Sequence, residues 1–193
     1  MDVDRVAACA TPAEARAARK AGLRAAVVGI GASRGVPAGR LVSFGVAGGL
    51  DGLEIGTGID ATRVVDEDGR ELWAGPGLGL RGARPGTIVA VRRVADDPAE
   101  RRRLRERTGA DAVDMESGIL AATGRLDGCV RAVSDSPAEP LGPIAELVTQ
   151  EGRFRAAGLV ALAQRPAASA RALANIRAAL GSLSRAFAGG EGT

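Results

Sequence analysis

The sequence predicts an α/β fold, a three-layer sandwich with a twisted mixed central sheet flanked by helices. Three observations carry this. Apolar runs of strand length alternate with segments that bear helix-start signals. The runs are short and largely apolar, as in strands covered on both faces. A turn sequence, Asp66-Glu67-Asp68-Gly69, joins two strand-like runs as a hairpin, which makes the sheet mixed.

Residues 3–10 read as a buried strand. Thr11-Pro12-Ala13-Glu14 then supplies an N-cap, a helix-opening proline and a capping-box glutamate for a helix to about Ala21. Residues 23–30 form a second strand with a glycine-rich exit, and residues 40–46 a third that ends in Ala47-Gly48-Gly49. Residues 58–66 and 70–74 are the hairpin strands. Residues 75–86, glycine-rich with Pro76 and Pro85, read as a loop and a candidate flap.

Residues 87–94 are strand-like, and Asp97-Pro98-Ala99-Glu100 repeats the helix-start device before an arginine-rich helix closed by Gly109. Residues 112–113 lead into a helix from about Met115, and residues 129–134 are the last strand. Beyond Pro143 the chain reads as helical to about Phe187, broken at Pro166. Residues 1–188 form one domain and residues 189–193 a disordered tail.

The 193 residues suit a single domain, which at this size buries roughly 70% of its unfolded surface. Hydrophobic residues are 46% and aromatics 2%, with no tyrosine, so the core is built from Ala, Val, Leu and Ile. Cys9 and Cys129 sit in apolar runs far apart and read as buried free thiols of a reducing cytoplasm. Histidine is absent, which excludes Ser-His and Cys-His catalysis and histidine-ligated metal sites. No metal and no organic cofactor is expected, and any acid or base must be a carboxylate. No run approaches the ~20 apolar residues of a membrane span, and Asp2, Asp4 and Arg5 open the chain where a signal peptide would be basic. A soluble, cytoplasmic protein is expected.

The net charge is +3, and Lys20 is the only lysine. Arginine's planar fork suits phosphate and carboxylate ligands, although base composition of the genome explains the bias more simply. The helix with Arg101, Arg102, Arg103, Arg105 and Arg107 is interrupted by Glu100 and Glu106 and has no interleaved aromatics. It reads as a solvated basic face, with no nucleic-acid partner.

Gly29-Ile30-Gly31 with Gly35 follows a strand, but a dinucleotide fingerprint needs an acidic residue about 20 positions on, and none is well placed. The glycines either make tight turns or bring backbone amides to a phosphate, with Arg34 adding charge. A second glycine-rich strand end, with Gly45 and Gly48, points to a shared anion site at the carboxyl edge of the sheet.

SFGVAGGLD, GIDATRVVDEDG, VADDPAE, VDMES and VRAVSD, in that order, resemble the nucleoside phosphorylase and nucleosidase superfamily. The resemblance is nearest to its hopanoid-associated branch, whose members are thought to remove adenine from adenosylhopane. It covers most of residues 10–135, and the C-terminal helices match in character only. It implies a homo-oligomer, most simply a homodimer, that binds a purine nucleoside, lipid-linked in the hopanoid branch. Transient contact with an anionic membrane surface is then permitted. The implied reaction is phosphorolysis of a 5'-substituted adenosine, with phosphate as co-substrate held by Gly29, Gly31, Arg34, Gly45 and Gly48. A hydrolytic nucleosidase and a non-catalytic nucleoside-binding protein are the alternatives.

The resemblance makes Glu116 the ligand of the ribose 2'- and 3'-hydroxyls, with Met115 against the sugar. An ionised carboxylate accepts both hydroxyl protons, and complementing the helix dipole is the plainer reading. Asp135 becomes the acid that protonates purine N7, with Ser134 and Val113 at the base. An aspartate here goes with 6-aminopurines in the related enzymes, and the plainer reading is a turn cap. Glu14 takes the place of the glutamate that activates water in the nucleosidases, and the capping box with Thr11 explains it equally well. Two departures stand out. Val46 replaces a common Ser or Thr of the glycine-rich loop, and the segment from Glu116 to Asp135 is short.

Overall fold

A computed structural model describes residues 5–50, 52–147 and 162–188. The first two residues of the expected opening strand, residues 148–161 of the stretch expected to be helical after Pro143, and the expected tail lie outside the described residues.

The strands are β1 (Arg5–Cys9), β2 (Arg24–Val27), β3 (Arg40–Gly49), β4 (Gly58–Val65), β5 (Glu71–Ala74), β6 (Ala83–Ala90), β7 (Ala112–Asp114) and β8 (Leu126–Asp135). The helices are α1 (Pro12–Lys20), α2 (Pro98–Thr108), α3 (Ser117–Ala121) and α4 (Pro166–Ala188). The sheet is mixed: β1 is parallel to β2 and β3, β8 is parallel to β3 and antiparallel to β4, and β4 and β5 form the hairpin.

The sheet also closes on part of itself. One edge of β3 runs along β8, while the other pairs β1 through residues 40–43 and then β7 through Gly48 and Gly49. Because β7 continues to β6, β6 to β4 and β4 to β8, five strands form a ring. Its curvature is made where the β3–β8 register shifts between Ala47 and Gly48, at a glycine pair without side chains.

α1 and α4 cover one face, where Leu183 and Phe187 of α4 pack with Val42, Phe44 and Val130, the Phe44 and Phe187 rings 5.5 Å apart. Leu120 of α3 packs with Ile59, Val64 and Ile88, and Leu104 of α2 with Val65, Val89 and Val113. Cys9 and Cys129 are buried free thiols, and burial pushes both up to about 12.

Element ends differ from the sequence reading for local reasons. β2 stops at Val27 because Gly29 (φ 81) and Gly31 (φ 57) turn the chain through a 3-10 segment, Ile30–Ala32. β6 starts at Ala83, inside the expected loop, and ends at Ala90. Pro85 is tolerated because β7 pairs only Ile88 to Ala90, so Pro85 faces no ladder on that edge. β3 and β8 run longer than expected, and the helix expected from Met115 is the short α3.

Candidate active site

The carboxyl end of β8, the glycines of β3, the β7–α3 corner and the first turn of α1 converge on a cavity of about 190 Å³. Glu14, Gly48, Met115, Glu116, Ser134 and Asp135 all line it, as does Val113. Residues expected to act on one substrate from distant parts of the sequence therefore meet. The opposite wall is apolar, with Val91, Val94, Ile144 and Ile176.

Glu14 completes the capping box and also reaches the cavity. Thr11 closes the capping box, its amide and hydroxyl donating to Glu14 Oε2 at 2.7 and 2.9 Å. The other oxygen, Oε1, accepts the Val46 amide at 3.0 Å, beside the cavity. Gly45 makes this approach possible, since a Cβ there would lie 2.9 Å from Glu14 Cδ. Burial pushes the Glu14 carboxyl up, against the hydrogen bonds that favour its charge.

Glu116 stands at the N-cap position of α3, but its side chain makes no capping hydrogen bond. Asp114 does that work, accepting the Ser117 amide and hydroxyl, so the Glu116 side chain turns to the cavity. There Oε1 accepts the Gly31 amide at 2.8 Å, from a glycine whose positive φ directs that amide inward. Burial first, and then the neighbouring Asp114 charge, raise the Glu116 carboxyl to about 8. Arg131, buried and ion-paired with Asp114 while also donating to Ser43 Oγ, offsets part of that.

Asp135 has both oxygens engaged. The Ser134 hydroxyl donates to Oδ1 at 2.6 Å, and the Arg101 guanidinium donates to Oδ2. Arg101 is itself buried, lines the cavity, and donates through Nε to the Ala95 carbonyl at 2.7 Å. Gly48 leaves the space that this pair fills, with a Cβ there 3.0 Å from both the guanidinium and Asp135 Oδ2. The solvated face expected for the arginine-rich helix holds for Arg102 and Arg103, which are exposed, and fails for Arg101. Its one sequence signal is its position on α2, at the same helical phase as the buried Leu104.

The expected phosphate ligands do not converge in the same way. Arg34 is exposed and does not line the cavity, and neither do Gly29, Gly31 and Gly45. The amides of Gly31 and Val46 are instead taken by the protein's own carboxyls, Glu116 and Glu14.

No family model and no curated protein matches the sequence. Solved structures do match in fold. A 5'-methylthioadenosine nucleosidase variant of Helicobacter pylori, with 5'-methylthioadenosine in its active site, aligns over 96% of this chain and 100% of its own at 14% identity and a TM-score of 0.54. The 5'-methylthioadenosine/S-adenosylhomocysteine nucleosidase of Neisseria meningitidis, in complex with methylthio-immucillin-A, aligns over 93% and 99% at 18% identity and a TM-score of 0.54. The futalosine hydrolase of Helicobacter pylori aligns over 94% and 99% at 14% identity and a TM-score of 0.54. The chain shares its fold with these nucleosidases and with the futalosine hydrolase.

Proposed function

We propose that this protein is an enzyme that hydrolyses the N-glycosidic bond of a 5'-substituted adenosine, releasing adenine. The observation that carries the reading is the meeting of Glu14, Glu116 and Asp135 at one cavity, with the loop amides already committed to two of those carboxyls. Phosphorolysis, which the sequence resemblance implies, needs those amides and a nearby cation for a dianion. Arg34 lies outside the cavity, and Arg101, which lines it, is already paired with Asp135, so water suits the site better than phosphate.

In this mechanism Glu116 accepts the ribose hydroxyls while Met115 packs on the sugar. Glu14, its carboxyl raised by burial, takes a proton from water as the water oxygen bonds to C1'. The C1'–N9 bond breaks and its electron pair passes to the purine, whose N7 takes a proton drawn from solvent as the nucleoside binds and held there by the Asp135 carboxylate, while Glu14 returns its proton to solvent. Asp135 makes room for the base by releasing one of its two present partners, Ser134 or Arg101. The solved neighbours are proteins named for methylthioadenosine, S-adenosylhomocysteine and futalosine, and the sequence resemblance implies adenosylhopane, so the 5' substituent is the variable to assay.

The test compares adenine release by the wild type with Glu14→Gln and Asp135→Asn, on adenosine, methylthioadenosine and adenosylhopane. Ligand binding is measured alongside by calorimetry. The expected result is turnover lowered by 10²-fold or more in each variant with binding retained. Binding without release by the wild type, on every substrate, favours the nucleoside-binding alternative and overturns the proposal.

A further inference from the structure

A second concavity, of about 690 Å³, runs between α1 and α4 and is lined by Arg16, Lys20, Arg177 and Arg185 around an apolar floor that includes Leu173 and Ile176. None of its lining residues is acidic. Among the described residues, none of the four cations is ion-paired or hydrogen-bonded through its side chain. The two helices are fixed to one another, since the Ser184 hydroxyl donates to the Ala17 carbonyl at 3.1 Å.

The exposed face of α4 is unusual for a helix facing water. Its exposed positions are Pro166, five alanines, Leu173 and three arginines, with the polar Asn175 and Ser182 only part-exposed and no acidic residue on the helix. An ordinary solvated face mixes both signs of charge, and this one combines apolar contact area with positive charge only.

We infer that the α1–α4 face docks on an anionic lipid bilayer. The charge complementarity is direct, and each basic side chain near such a surface contributes attraction. Small apolar side chains and arginine stems suit the boundary between headgroups and acyl chains, where no shape-matched partner is needed. A second copy of the chain, paired through this face by a two-fold axis, would set Arg177 and Arg185 against the same cations. An acidic protein segment would meet few neutral hydrogen-bonding groups and no exposed aromatic anchor. Ile176 also lines the catalytic cavity, so the docked face adjoins the proposed site. The inference does not depend on the reaction.

The test is co-sedimentation of the full chain with vesicles of phosphatidylcholine alone and of phosphatidylcholine with phosphatidylglycerol, at low and at physiological salt. Binding is expected only to the anionic vesicles and to weaken with salt. Arg177→Glu with Arg185→Glu, and separately Arg16→Glu with Lys20→Glu, should each lower partitioning by about 30-fold or more, with the circular dichroism spectrum unchanged. Soluble polyglutamate and duplex DNA serve as competitors. Absence of binding to anionic vesicles at low salt, charge-reversed variants that bind as the wild type does, or preferential capture by either polyanion overturns the inference.

Discussion

Arg101 of α2 reaches across the cavity to Asp135 at the end of β8, and the two side chains form an ion pair at 1% and 3% exposure. The group assigned to the departing base is thus held by a cation that the sequence places on a basic helix. A buried pair of this kind is worth little net, but breaking it leaves a charge without a partner.

Arg101→Met should therefore destabilise the protein by about 3–5 kcal/mol. Adding Asp135→Asn should recover part of that loss, because the remaining group is neutral and keeps Ser134. Urea denaturation of the two single variants and the double variant measures the coupling. Additive losses would show that the pair is not coupled.

Glu116 makes stability depend on pH in a defined direction. Its carboxyl is raised from 4.5 to about 8, so across that window the native state keeps a proton that the unfolded chain releases. The stabilisation is full below about 4.5 and is lost as pH rises toward about 8, and Glu14 acts in the same direction. Denaturation midpoints should fall across this range, and Glu116→Gln should flatten the slope. A slope unchanged in that variant contradicts the assignment.

The same carboxyl should shape catalysis. If the ribose hydroxyls donate to an ionised Glu116, kcat/KM for the free enzyme should rise with pH through about 8. A 2',3'-dideoxy nucleoside, which has no such hydroxyls, should lose most of that dependence. The check is a pH profile with both substrates.

Gly45→Ala places a Cβ against the Glu14 carboxyl. The expected cost is about 1–3 kcal/mol of stability, together with loss of turnover. Gly45→Ala with Glu14→Ala should regain stability but not activity. A double variant no more stable than Gly45→Ala would show that the clash lies elsewhere.

Much of this arrangement is legible in the sequence because its determinants are local. The capping box at Thr11 and Glu14, the proline and glycine bounding α2, and the hairpin around Asp66 are each set by a few adjacent residues. Glu14, Glu116 and Asp135 were assigned from motifs, and the fold brings them to one cavity. What was not legible depends on distant pairing. The ring closure rests on β3 exchanging β1 for β7 along one edge, which no local pattern encodes. Likewise Asp114 and Arg131 lie 17 positions apart, and each alone reads as an isolated charge in an apolar run. The acceptors of the Val46 and Gly31 amides, Glu14 and Glu116, likewise come from 32 and 85 residues away, which no local pattern encodes.

The central claim is that water, activated at Glu14, is the nucleophile. The most direct test is adenine release from methylthioadenosine with and without inorganic phosphate, with the sugar product identified by mass spectrometry. The account predicts the same rate in both cases and a free sugar. Release that requires phosphate and yields a sugar 1-phosphate would contradict it.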